Sequence, residues 1–122
     1  MKAAIRSDDP VLYFEHKRLF SMKGDIPEGE YLTPIGKANI VEEGTDLTIV
    51  SYSFYMNHVL EAAKALKQFG ISAECIDLRT ISPLDMDTVY SSLKKTKRLM
   101  IVHEAVKQGG VGAEVSARVA EE

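Results

Sequence analysis

Residues 47–78, LTIVSYSFYMNHVLEAAKALKQFGISAECIDL, decide the fold. Leu47-Thr48-Ile49-Val50 is a short apolar run of strand-formers. From Met56 the apolar residues Val59, Leu60, Ala63, Leu66 and Phe69 recur at helical spacing, and Gly70 supplies a stop. Ile71, Ala73 and Cys75 then alternate with polar residues and run into Ile76-Asp77-Leu78, a second strand. Strand, amphipathic helix and strand in that order imply a parallel pair joined by a right-handed crossover.

The same alternation continues downstream. Ser82-Pro83-Leu84-Asp85 offers a capping residue, a proline suited to a first turn and an acid for the positive helix end. Met86, Val89, Tyr90 and Leu93 predict the buried face of that helix. Leu99 to Val102 is a continuous apolar run, expected of a strand covered on both faces. Gln108-Gly109-Gly110-Val111-Gly112 leads into a last helix with Val111, Val115 and Val119 at four-residue steps. From about Ala38 the chain therefore reads as a doubly wound α/β domain with a mainly parallel sheet of three strands. Three strands make a small sheet, and the chain stops on Glu121-Glu122 inside a helical pattern, so the sequence is expected to be cut from a longer one.

Upstream the texture differs. Residues 1–6 read as the last turn of a helix broken by Ser7-Asp8-Asp9-Pro10, and Val11 to Phe14 as a strand ending in Glu15-His16-Lys17. From Phe20 to Gly36 the chain carries Gly24, Pro27, Gly29, Pro34 and Gly36 without sustained periodicity, as a connection between two domains does.

Composition excludes several function classes. With 122 residues and a formal charge of -3, the chain has no basic field to draw in nucleic acid. One cysteine, Cys75, makes neither an intrachain disulfide nor a cysteine-based metal site, so a reduced cytoplasmic thiol is expected. No apolar run reaches the roughly 20 residues of a membrane span, and the first ten residues lack the apolar stretch of a signal peptide.

Four stretches, DDPVLYFEHKRLF, PEGEYLTPIGKANIVEEGTDLTIVSYS, CIDLRTISPLDMDTV and VHEAVKQGGVGAEVSARVAEE, taken in register, resemble the beta subunit of the decarboxylating component of 2-oxo acid dehydrogenase complexes, of pyruvate, branched-chain or acetoin type. The resemblance implies that residues 1–20 are the tail of a pyrimidine-binding domain, residues 21–37 a linker, and residues 38–122 an incomplete transketolase-type C-terminal domain. It also implies thiamine diphosphate and magnesium as cofactors at an interface with an alpha subunit, a second beta subunit in a heterotetramer, and a lipoyl acyltransferase core that receives the acyl group. The family's cofactor glutamate and active-site histidine lie upstream of the residues present, so no catalytic or cofactor-binding residue is expected here and the chain alone is expected to be inactive. Its own part is then subunit assembly and docking.

His103-Glu104 is the one pair in the C-terminal region that invites a functional reading, because it follows a strand directly. It shapes an active-site entrance or a subunit junction, or His103 is a hydrogen-bonded structural residue. Gly109, Gly110 and Gly112 read as a tight strand-to-helix turn in preference to a phosphate cradle. Arg79 is expected to pair with Asp77 or Asp85, His58 to face solvent, and Lys94, Lys95, Lys97 and Arg98 to form a solvated helix end. Asn57 stands where the family usually carries histidine, and Phe54 where it often carries a polar residue, which removes support for a ligand at that turn. Two rivals stay open: another transketolase-like enzyme such as deoxyxylulose-phosphate synthase, and a non-enzymatic flavodoxin-like or receiver-like module.

Overall fold

The computed structural model describes residues 1–122 as two compact units, Met1–Ile35 and Gly36–Glu122. In the first, a helix of one turn, α1 (Lys2–Ile5), precedes irregular chain and a short 3-10 helix over Lys17–Ser21, capped by the His16 imidazole, which accepts from the Arg18 amide. Arg6 pairs with Glu30, and the Lys2 ammonium sits 5.5 Å from the centre of the Tyr31 ring. Val11–Phe14 is not a strand. It has no regular structure and is exposed, and no partner strand pairs with it, so strand propensity has nothing to act on.

The second unit holds β1 (Asn39–Glu42), β2 (Leu47–Ser51), α2 (Tyr55–Gln68), β3 (Ala73–Asp77), α3 (Met86–Thr96), β4 (Leu99–Ile101) and α4 (Val111–Glu121). The sheet order is β1-β3-β2-β4, with β2 parallel to both β3 and β4. The sheet has four strands where the sequence predicts three. β1 pairs antiparallel with β3 and carries an irregularity between Ile40 and Glu42, which blurs the alternation that would have announced it.

Side chains alternate across β2 and β3 and divide the core in two. Ile49, Ala73 and Cys75 face α2, packing on Met56, Val59 and Ala63. Val50, Ile76 and Leu78 face the other side, against Met86 and Val89 of α3 and Val115 of α4. Central burial reverses at β4. It is an edge strand with Met100 half exposed, so the apolar run 99–102 is not covered on both faces.

Polar side chains fix the base of the sheet. Thr48 Oγ1 lies 2.7 Å from Ser92 Oγ and 2.6 Å from Thr96 Oγ1, tying the central strand to α3 inside the core. Glu74, fully buried in β3, bonds Lys95 and accepts from the Gly44 amide at 3.4 Å. Lys95 is therefore part of an ion pair and not merely a solvated helix end. Gly44 has no room for a side chain, since a Cβ there would come 2.2 Å from the Ala73 carbonyl carbon.

The cap of α3 also differs from expectation. Asp85, not Ser82, is the N-cap: its Oδ1 accepts from the Thr88 amide at 3.3 Å and its Oδ2 from the Ala38 amide at 3.0 Å. An acid one residue before the helix satisfies an orphan amide and meets the positive end of the dipole, which Ser82, three residues further out, cannot do.

Candidate functional site

The crossovers place a switch point at the carboxyl ends of β2 and β4. β2 leads to α2 on one face, whereas β4 leads to α4 on the other, so the loops after these neighbouring strands part company. In open α/β sheets such a divergence opens the crevice where ligands bind.

Tyr52 and His103 face each other there. Their rings stack with centroids 6.1 Å apart and planes inclined by 18°. Burial and then the charge of Glu104 push the Tyr52 hydroxyl above its usual range. His103 lies under the first turn of α4, and a Cβ at Gly112 would meet its Nε2 at 2.2 Å, while one at Gly110 would meet its Cε1 at 3.0 Å. Gly112 admits the imidazole, whereas at Gly110 a Cβ would first meet the Val106 carbonyl oxygen, at 2.5 Å. Of the glycine run only Gly109, at φ +74°, is required by turn geometry.

His103 departs from the expectation of a hydrogen-bonded structural histidine. Its Nδ1 is buried and has no hydrogen-bond partner; its place is held by ring stacking and by close packing on α4. A groove of about 690 Å³ runs from Ile101 and His103 along the small residues Ala113, Ser116, Ala117 and Ala120 of α4. Lys107, Gln108 and Gly112 complete its lining. Glu104 is exposed beside it.

The rest of the carboxyl edge is built from turns. Ser53 and Arg79, which follow β2 and β3, both adopt left-handed backbone at φ 57° and 56°. Arg79 Nε stands 4.0 Å from Asp77 Oδ2, and Asp77 Oδ1 accepts from the Arg79 amide, so the expected internal pair forms with Asp77. Burial raises the Asp77 carboxyl, and the Arg79 amide and charge offset this only in part. Phe54, Tyr55 and His58 contact one another edge to face at the start of α2, with His58 exposed and 3.7 Å from Glu61. Asn57 donates to the Phe54 carbonyl.

This chemistry is that of a binding and packing surface. No group of three or more His, Cys, Asp or Glu is set to hold a metal ion. The two most deeply buried carboxylates, Glu74 and Asp85, are committed to Lys95, Gly44, Ala38 and Thr88. Cys75 lies in the core, where burial first and Glu42 second push its thiol up to about 11, so it is an inert thiol. No helix is long and apolar enough to cross a membrane.

Sequence reasoning found His103, Glu104, Asp77 and Arg79 but missed Tyr52, whose only signal was an aromatic residue directly after a strand at the crossover. The internal polar groups Thr48, Glu74, Ser92 and Thr96 were also missed. A charged residue inside the apolar run of β3 was the available hint.

Comparison with known proteins follows the same architecture. The family described as transketolase, C-terminal domain, matches residues 36–122. The acetoin:2,6-dichlorophenolindophenol oxidoreductase subunit beta of Cupriavidus necator is 49% identical over 98% of this chain and 35% of its own length. The pyruvate dehydrogenase E1 component subunit beta of Bacillus subtilis is 48% identical over 96% of this chain and 36% of its own. The 2-oxoisovalerate dehydrogenase subunit beta of the same organism is 43% identical over 99% and 37%. Among solved structures, a split gene transketolase in an inactive beta4 tetramer superposes with a TM-score of 0.71 at 31% identity, covering 74% of this chain and 30% of that one. The chain thus spans a little over a third of the length of the curated relatives it matches.

Proposed function

Because the chain belongs to the transketolase C-terminal domain family, we propose that it is part of the beta subunit of a thiamine-diphosphate-dependent 2-oxo acid dehydrogenase, the decarboxylating component of such a complex. The observation that carries this reading is identity of 43–49% to beta subunits across nearly all of the chain, including residues before the family match begins. Residues 1–20 are then the tail of the pyrimidine-binding domain, residues 21–37 the linker and residues 38–122 the C-terminal domain.

In the parent enzyme, thiamine diphosphate and magnesium at the junction with the alpha subunit supply the carbanion chemistry that releases carbon dioxide. The residues present do not fit that cofactor, whose magnesium needs several oxygen ligands placed together, and the buried carboxylates here are already bonded within the fold. No step of the reaction is therefore carried by this chain. Its contribution is to assemble a second beta subunit and the alpha subunit, and to help dock the lipoyl acyltransferase core, in the cytoplasm. His103 lines the groove beside α4, Glu104 follows it in the loop after β4, and both act by position, not by proton transfer. Three relatives named for acetoin, pyruvate and 2-oxoisovalerate are almost equally similar, so this region does not select the substrate. A second reading, a transketolase proper, draws on the split gene structure but has the lower identity of 31%.

Titration calorimetry of the 122-residue chain with thiamine diphosphate and magnesium tests the proposal. No heat of binding is expected from the chain alone, and 2-oxo acid decarboxylation is expected when the missing beta segment and an alpha subunit are added. Saturable binding of order micromolar by the chain alone, or no reconstitution, overturns the reading.

A further inference from the structure

Three hydroxyls and one carboxylate form a polar chain inside the second unit, and their protons can be assigned. Thr48, Glu74, Ser92 and Thr96 are each at most 3% exposed, so further cover over the unit leaves their bonds as they are. Ser92 bonds the Glu74 carboxylate. Thr48 Oγ1 lies 2.7 Å from Ser92 Oγ and 2.6 Å from Thr96 Oγ1, and Thr96 Oγ1 lies 3.3 Å from the Arg98 carbonyl oxygen. These are four links, and the three hydroxyls bring one proton each. Burial alone would raise the Glu74 carboxyl, but bonds from Lys95, Ser92 and the Gly44 amide hold it below the usual carboxylate range. At neutral pH it is therefore ionised and can only accept.

We propose that the charge of Glu74 sets the direction of this chain, a relay with two states that carries the charge from β3 through α3 and β2 to the backbone opening β4. With the charge present, the Ser92 proton goes to the carboxylate, the stronger acceptor. Ser92 Oγ then accepts from Thr48, and Thr48 Oγ1 accepts from Thr96. The fourth link is left without a proton, and its 3.3 Å lies beyond the roughly 2.5–3.0 Å of an O–H···O bond. The Arg98 carbonyl loses nothing, because it already accepts from the Thr48 amide at 2.9 Å. A neutral group at position 74 reverses the order. Gly44 and Lys95 both use Oε2, which leaves Oε1 for Ser92. With a proton to give at that atom, each hydroxyl turns over in place and Thr96 donates to the Arg98 carbonyl. Bonds in such a chain polarise one another, and two discrete arrangements are what coupling between separated groups requires. The relay goes beyond the functional reading and lies in the interior of one unit, so either can fail without the other.

Nuclear magnetic resonance on the full chain at neutral pH tests it. In the wild type, the buried Thr48 hydroxyl proton is expected to show its nuclear Overhauser effect to the Ser92 β protons, and the Thr96 hydroxyl proton to the Thr48 β proton. Glu74→Gln, with its amide oxygen kept on Gly44 and Lys95, is expected to move the Arg98 carbonyl carbon resonance to higher frequency as a second bond forms there. Adding Ser92→Ala cuts the relay and is expected to abolish that move. An Arg98 resonance that stays in place in Glu74→Gln, or that moves equally with Ser92→Ala present, overturns the proposal. So does a wild-type Thr48 hydroxyl proton lying against the Thr96 β proton, an outcome that decides the matter even where Glu74→Gln fails to fold.

Discussion

At the scale of single residues, His103 and Gly112 are a fitted pair. The missing side chain of one is the space for the other, since Gly112 leaves only 2.2 Å between a would-be Cβ and the imidazole. Gly112→Ala is expected to destabilise the chain by about 1–3 kcal/mol through overpacking, and His103→Ala in the same chain is expected to recover part of that loss. Urea unfolding of the four members of this cycle measures the coupling, and simple additivity would show that the contact is not the cause. Glu74 makes a second prediction. Burial alone would raise its carboxyl, but bonds from Lys95, Ser92 and the Gly44 amide outweigh burial and hold it below the usual carboxylate range. A folded-state pKa below the unfolded value contributes stability that is present above the unfolded value, about 4, and lost as pH falls through the folded one. Asp85 acts in the same direction and Asp77, whose carboxyl is raised, in the opposite one. Glu74→Gln is therefore expected to lower stability at pH 7 by on the order of 1–3 kcal/mol and to flatten the acid limb of the stability profile. Denaturation midpoints from pH 7 to pH 3 give the comparison.

At the scale of elements, periodicity read the helices well and the strand partners poorly. α2 and α4 announce themselves because Val59 and Ala63, or Val111, Val115 and Val119, repeat at the pitch of a helix that buries one stripe. β1 did not, because Asn39–Glu42 is only four residues long, with Ile40 and Val41 adjacent instead of alternating, and its pairing is irregular. Val11–Phe14 shows the converse: four good strand-formers make no strand where no neighbouring backbone accepts their bonds. The start of α3 was misplaced by three residues because Ser82-Pro83 carries the composition of a cap while Asp85 has the geometry. Asp85→Ala removes both the cap and the acceptor for the Ala38 amide, and is expected to cost about 1–3 kcal/mol. Asp85→Asn should retain roughly half of that, since an amide oxygen caps without the charge. Thermal unfolding of the two variants separates cap from charge, and equal losses would assign the whole effect to electrostatics.

At the scale of the whole molecule, the doubly wound topology was legible because βαβ connections leave little freedom of hand or order. The switch point was half legible. His103 and Glu104 follow an obvious strand, but Tyr52 is recognised only once β2 and β4 are known to be neighbours, a fact carried by packing of α2 and α3 on opposite faces. In a reconstituted enzyme, His103→Ala is expected to change the substrate constant or assembly and to leave the chemical step within about tenfold. Single-turnover kinetics reads the two apart, and a loss of order a hundredfold in the chemical step with assembly intact would make His103 a proton-transfer group. The order β1-β3-β2-β4 also has a consequence in time. β2 is one of the two interior strands, yet it is synthesised before both of the strands that flank it, and Val50 pairs with Ile101 across about fifty residues of sequence. At roughly 5–20 residues per second, a growing chain carries this buried strand unsealed for several seconds, which makes the ribosome-bound state, more than the finished fold, the stage at which this molecule depends on chaperones.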